Sequence, residues 1–187
     1  MDDLGKMLFN TILVFLPAYL ANMMPLMIYS IPIAKPLFKY RIDFGYKLGR
    51  EDLFGKNKTW AGLISGGIGG LVGGYIMFLI VFTYFPIGND DIYKILLNDM
   101  IYGVIIGFGA LIGDLVKSFL KRRLTIKSGK PWWIFDQIDF ILGAYIFSFL
   151  IFPIPIVYFV IALIITPLLH VGMNVIAFKL KLKKVWW

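Results

Sequence analysis

The chain has 187 residues, 59% of them hydrophobic, with a mean hydropathy of +0.80. A soluble domain is about 45–50% apolar, so this composition excludes one and indicates an integral membrane protein forming a single domain over residues 1–187. The formal net charge of +8 reflects 19 Lys and Arg against 11 Asp and Glu. These cations gather at the ends of apolar runs, which makes the excess an orientation signal and argues against a nucleic-acid partner. With no cysteine, disulfides and thiolate metal ligands are excluded.

A helix crossing the hydrocarbon layer needs roughly 20 mostly apolar residues. Five stretches qualify, at about 8–31, 60–82, 100–120, 134–152 and 155–178, so the expected fold is all-α and polytopic with about five transmembrane helices. The acidic start, with Asp2 and Asp3, carries no cationic region or small-residue cleavage site, and the first stretch is expected to remain as a span. Apart from Lys6 and Lys94, every Lys and Arg falls in the 32–59 loop, from Lys117 at the end of the third apolar stretch to Lys130 before the fourth, or in the tail. Short basic loops stay in the cytoplasm, which puts the N-terminus outside, the C-terminus inside, and loops 32–59 and 121–133 on the cytoplasmic face of the cell membrane.

In the second span, Gly62, Gly66, Gly70 and Gly74 recur every four residues, and the third carries Gly103, Gly107, Gly109 and Gly113. Such small-residue faces let helix backbones approach closely in lipid, as the packing seam of the bundle or of a homodimer. Pro153 and Pro155 mark a sharp turn between the last two spans. His170 reads as a packing residue, Trp132, Trp133, Trp186 and Trp187 as interfacial anchors, and Asn22, Met23 and Met24 form no recognisable site.

Chemistry concentrates where spans three and four meet the cytoplasmic loop. An uncompensated Asp at the centre of a spanning helix costs roughly 2.5–3.5 kcal/mol on insertion scales, so acids there need a reason. Asp114, Ser118 and Lys121 stand at i, i+4 and i+7 on one helical face, and Asp136 and Asp139 share another. If the two helices pack together, the three carboxylates converge on a hard cation such as Mg²⁺, which commonly bridges carboxylates to phosphates. Lys121, Arg122, Lys127 and Lys130 would then offset the charge of a nucleoside triphosphate. The plainer reading makes the cations ordinary cytoplasmic flanks that bind membrane lipids, and pairs Asp114 with Lys117 one turn on.

Gly113-Asp114-Leu115, Ser118-Phe119-Leu120-Lys121-Arg122, Lys127 and Asp136-Gln137-Ile138-Asp139 together resemble the signature of the CTP:phosphatidate cytidylyltransferases, the CDP-diacylglycerol synthases. Upstream, Lys58-Thr59-Trp60-Ala61-Gly62 is similar to that family's Lys-Thr-Trp-Glu-Gly stretch. Ala61 replaces its Glu, Ser128 stands where an Asp usually follows the Lys, Gln137 replaces Arg, and Pro131-Trp132-Trp133-Ile134-Phe135 stands in for a His-Gly-Gly element. With the small size, this pattern looks most like the archaeal branch, the CDP-archaeol synthases.

The resemblance implies attack by a prenyl-ether glycerol phosphate, 2,3-bis-O-(geranylgeranyl)-sn-glycerol 1-phosphate, on the α-phosphorus of CTP, giving a CDP-lipid and pyrophosphate. It implies Mg²⁺ on Asp114, Asp136 and Asp139, with these carboxylates and Lys121 as catalytic groups. Lys58, Thr59, Ser118, Lys121, Arg122 and Lys127 match phosphate-binding positions, and charge and proximity add Lys56 and Lys130. Phe and Ile residues of spans four and five are candidates to line the prenyl groove. Two other classes fit parts of the pattern: a CTP-dependent polyprenol kinase, and a small ion or solute transporter with its acids along a pathway.

Overall fold

The structure, a computed structural model, describes residues 3–84, 92–132 and 135–179, with side chains for all of these except 92–97, 170, 173, 174 and 176–179. Trp133, Trp186, Trp187 and the side chain of His170 lie outside the described residues. Among the described residues each apolar stretch forms a helix over most of its length: α1 (Asp3–Ser30), α2 (Trp60–Tyr84), α3 (Ile92–Arg123), α4 (Phe135–Ser148) and α5 (Ile156–Lys179). The 32–59 loop carries a 3₁₀ segment, Pro32–Lys39, and a small antiparallel hairpin, β1 (Lys47–Leu48) and β2 (Glu51–Asp52), which pairs Lys47 with Asp52 and Leu48 with Glu51. The sequence reading did not anticipate that hairpin.

Among the described residues three segments, Asp3–Ser30, Trp60–Tyr84 and Asn98–Arg123, are long and apolar enough to cross a membrane. Several boundaries differ from expectation, among them the starts of α1 at Asp3 and of α3 at Ile92, both earlier than the apolar stretches suggested. Helix α3 continues to Arg123, so residues 121–123, counted in the cytoplasmic loop, are helical, in keeping with the helical face drawn through Asp114, Ser118 and Lys121. Helix α4 has 14 residues, about 21 Å at 1.5 Å per residue and shorter than a roughly 30 Å hydrocarbon layer. After Ser148 the chain tightens into i to i−3 bonds, with the amides of Leu150 and Ile151 donating to Phe147 and Ser148 carbonyls at 3.1 Å. The Ser148 hydroxyl then accepts from the Ile154 amide at 3.1 Å. Apolarity runs on to Phe152, but it specifies burial in lipid or protein, whereas the approach to Pro153 and Pro155 ends the helix.

Helix α3 packs against α1, α2 and α4. The core joins Phe15, Ala18 and Ala21 of α1 to Ile106 and Ala110 of α3 and to Phe140, Ile141 and Ala144 of α4. The glycine seam lies within the bundle: a Cβ on Gly70 would sit 2.7 Å from the Gly103 carbonyl oxygen and 2.9 Å from the Gly107 Cα. A second seam joins α3 to α4, where a Cβ on Gly143 would stand 2.8 Å from the Gly113 Cα. Ile64, Ile68, Leu71, Tyr75 and Leu79 of α2 are exposed as an apolar stripe, as a lipid-facing surface requires.

Since backbone atoms cannot yield as a side chain does, Gly103→Val should exceed the usual 1–3 kcal/mol of overpacking and lower the thermal midpoint of the detergent-purified protein. Gly67→Val, where nothing lies within 4 Å, should leave that midpoint nearly unchanged. Equal midpoints for the two variants would show that the seam is not under such constraint.

Candidate active site

The loop before α2 is organised by a residue that sequence reasoning passed over. Asp43 is buried, and its Oδ1 accepts from Arg41 Nε at 2.9 Å and the Gly45 amide at 3.0 Å. Its Oδ2 accepts from Arg41 Nη2 at 3.0 Å and the Phe54 and Gly55 amides at 3.2 Å. Burial opposes the charge of Asp43, but the Arg41 bonds and the three amides outweigh it and hold the carboxyl below the usual carboxylate range. Gly55 has φ +103°, a left-handed conformation that disfavours any side chain. Arg123 pins the hairpin to α3 by donating to the carbonyls of Leu48 at 3.1 Å and Asp52 at 2.7 Å. Thr59 then caps α2 by accepting from the Gly62 amide at 3.2 Å. This scaffold delivers Lys58 to the end of α3.

There the three predicted carboxylates meet. Lys117 Nζ lies 3.2 Å from Asp114 Oδ1, 3.0 Å from Asp136 Oδ1 and 2.9 Å from Asp139 Oδ2. Lys58 pairs with the second oxygen of Asp114. Lys121 Nζ donates to Asp136 at 3.0 and 3.1 Å and to the Lys130 carbonyl at 2.7 Å. The Trp132 amide also donates to Asp136, while the Trp132 ring stacks on Phe135 with centroids 4.6 Å apart. Lys121, Ser118 and Asp139 are buried, and Asp114, Lys117 and Asp136 are half-buried.

Two cavities adjoin this centre. One of about 160 Å³ is bounded by Phe54, Lys58, Lys117, Ser118, Lys121 and Arg122, among others. Arg122 is 5% exposed and its Nε has no hydrogen-bond partner among the described residues. A buried, unpaired guanidinium N–H facing a polar cavity is a donor awaiting an acceptor. The other cavity, about 760 Å³, reaches Asp114 and Lys58 from an apolar side formed by Leu26, Tyr29, Phe38 and Leu63. It lies among α1, the 3₁₀ segment, α2 and α3, away from the α4 and α5 residues expected to line a prenyl groove. Asn22, dismissed in sequence, lines it, as does Lys56. Lys127 and Lys130 are exposed, and Lys130 reaches the centre only through its carbonyl.

Three aspartates are the donor type a hard divalent cation takes, but among the described residues no group of three acids is arranged to hold a metal ion. The point between Asp114, Asp136 and Asp139 is taken by an ammonium, with Lys58 and Lys121 on Asp114 and Asp136 besides. Lys117, which sequence reading could take only as an i, i+3 partner of Asp114, holds that position. Gly143, whose lack of a side chain allows α4 to approach α3, was also missed, because a lone glycine in an apolar run shows no spacing pattern.

A solved structure described as an intramembrane enzyme for archaeal membrane lipids biosynthesis matches this one with a TM-score of 0.72 and 31% identity, covering 90% of this chain and 94% of that one. The fold and its ionic centre thus define an intramembrane enzyme. A family profile described as CarS-like, CDP-archaeol synthase, matches residues 4–187. The CDP-archaeol synthase of Methanocaldococcus jannaschii is 38% identical over 183 residues, covering 97% of this chain and 98% of that protein. That of Pyrococcus furiosus is 36% identical over 175 residues, covering 92% and 93%. The chain belongs to the CDP-archaeol synthase family.

Because the Asp43 pKa is lower folded than unfolded, its stabilisation is complete above the unfolded value near about 3.9 and fades as pH falls through the folded value. The wild-type loop should therefore keep its amide protection from neutral pH down to pH 5. Breaking a buried pair costs about 3–5 kcal/mol, so in Asp43→Asn the Gly45, Phe54 and Gly55 amides should exchange with solvent roughly 100-fold faster or more. Unchanged protection in the variant would show that the loop does not depend on Asp43.

Proposed function

We propose that this chain transfers the CMP moiety of CTP to a prenyl-ether glycerol phosphate, forming CDP-archaeol and pyrophosphate at the cytoplasmic face of the cell membrane. The observation that carries the reading is the convergence of Asp114, Asp136 and Asp139 on one cation beside a cavity lined by Lys58, Lys121 and Arg122, in a chain of this family.

A phosphate oxygen of the lipid attacks the α-phosphorus of CTP, the bond from that phosphorus to the oxygen bridging to the β-phosphorus breaks, and pyrophosphate leaves with the electron pair. Such displacements ask little covalent help of protein groups, so positioning and charge stabilisation dominate. Lys121 and Arg122 hold the phosphates in the smaller cavity, with the Ser118 hydroxyl beside them. Asp114, Asp136 and Asp139 are the residues that would hold Mg²⁺, which when bound neutralises and orients phosphate oxygens. Lys58 borders both cavities and is placed to receive the acceptor phosphate, while the apolar wall of the larger cavity suits the first part of the prenyl chains. Thr59 caps α2 and also borders the larger cavity beside Lys58. Lys56 lies at the polar edge of the larger cavity, and Lys127 and Lys130 add long-range attraction for CTP. The ionic centre gathers at one end of the helices instead of along a path through them, which favours group transfer over ion conduction.

Purified protein in detergent, given labelled CTP, Mg²⁺ and the bis-geranylgeranyl glycerol phosphate, should form labelled lipid and release pyrophosphate, whereas a kinase would release CDP. Asp136→Ala should abolish the product. Arg122→Gln should raise KM for CTP by roughly 10- to 100-fold, as expected for losing hydrogen bonds to a charged group. Label entering no lipid with a folded wild-type enzyme would overturn the proposal.

A further inference from the structure

We infer that Lys117 is a resident counter-cation that keeps the three carboxylates assembled before a divalent ion arrives, and that the ion enters by displacing its ammonium toward the phosphate cavity. The inference rests on reading Asp114, Asp136 and Asp139 as metal ligands. An ammonium has three donors, and those of Lys117 are matched by three different carboxylates at 3.2, 3.0 and 2.9 Å. Of the cations at the centre, Lys58 touches Asp114 and Lys121 touches Asp136, whereas Lys117 touches all three acids. Without it, three half-buried or buried carboxylates would face one another with only two of them paired, a repulsive arrangement.

A divalent ion seeks the same oxygens, and a cation beside an ammonium at that range is repelled, so the two exchange rather than coexist. The displaced group has somewhere to go. Lys117 lines the smaller cavity together with Lys121 and Arg122, and its four-carbon stem lets the ammonium swing without moving the helix. There it would meet nucleotide phosphates instead of carboxylates. Ion and nucleotide therefore bind with positive coupling: the ion alone must evict a bound ammonium, whereas with nucleotide present that ammonium gains a new anionic partner.

Detergent-purified full-length protein tests this with Mn²⁺ as probe, bound ion being counted by electron paramagnetic resonance and unfolding followed thermally. Lys117→Met should melt at a lower temperature than wild type in EDTA. It should bind Mn²⁺ about tenfold tighter or more without nucleotide, within the usual range of site couplings, and recover its melting temperature as the ion binds. Wild type should bind Mn²⁺ tightly only when a non-hydrolysable CTP analogue is present. Equal or weaker Mn²⁺ binding by Lys117→Met would overturn the inference and make Lys117 a permanent strut. Should that variant fail to fold, acetic anhydride labelling of wild type decides: saturating Mn²⁺ alone should raise modification of Lys117 several-fold, and unchanged labelling overturns the exchange. Asp139→Asn separates the underlying reading, since Mn²⁺ binding indifferent to that change would remove the carboxylates as ligands, independently of how Lys117 behaves.

Discussion

The approach of α3 to α4 at Gly113 and Gly143 determines where every charge in the site can stand. A Cβ on Gly113 would lie 3.0 Å from the Gly143 Cα, and one on Gly143 would lie 2.8 Å from the Gly113 Cα. The contact is backbone against backbone, with no side chain between that could yield. Asp114 follows Gly113 directly, and Asp139 precedes Gly143 by one helical turn, so this contact brings carboxylates from two helices within reach of one ammonium. A methyl group at either glycine would wedge the helices apart near the site and lengthen ion pairs that depend on contact distance. In lipid, where apolar burial gives helices little reason to associate, such close packing is what makes the position of α4 specific.

The ionic centre sits at one end of a bundle that is otherwise apolar, and its charges nearly cancel among themselves: Asp114, Asp136 and Asp139 against Lys58, Lys117 and Lys121. Buried ion pairs are poor sources of net stability, since desolvation offsets attraction. Their value here is geometric. One of the balancing cations is not supplied by the bundle at all. Lys58 comes from the loop, and the loop's shape depends on Asp43 gathering Arg41 and three amides around itself. A loop carboxylate with no part in the chemistry thereby helps to set the second cation on Asp114, beside Lys117.

That each apolar stretch forms a helix was legible in its hydropathy, and the predicted ends agree best for α2 and α5, although among the described residues only three segments are long and apolar enough to cross a membrane. The convergence of Asp114, Asp136 and Asp139 was also legible, since helical periodicity puts the members of each set on one face and the intervening loop is short. What escaped was set by tertiary contact. Lys117 at i+3 from Asp114 looks like an ordinary surface pair, and only the docking of α4 gives it two further carboxylates. Asp43 sits in a loop whose fold has no period to read. The end of α4 at Ser148 was hidden inside an unbroken apolar run, because hydropathy reports the solvent a residue prefers and not the conformation of its backbone. The larger cavity escaped for a related reason: apolar residues read alike whether they face lipid, core or ligand, whereas this cavity is enclosed by residues of α1, the 3₁₀ segment, α2 and α3 that are distant in sequence.

A water-soluble nucleotide and a lipid can react only where both environments adjoin, and the two cavities differ accordingly. The smaller is lined by cations and hydroxyls, while the larger grades from Leu26, Phe38 and Leu63 to Lys58 and Asp114. Asn57 and Lys58 belong to both linings, so a negative charge arriving in either cavity acts on the same ammonium. Any phosphate drawn to Lys58 competes with Asp114 for it, and an Asp114 released from Lys58 is left more negative toward whatever cation occupies the carboxylate centre. If that centre holds a divalent ion, as proposed, occupation of one cavity strengthens its hold on the ion, and the ion in turn favours phosphate in the other. Coupling of this kind needs no movement of helices, because it follows from three carboxylates and their cations sharing a volume too small for independent charges.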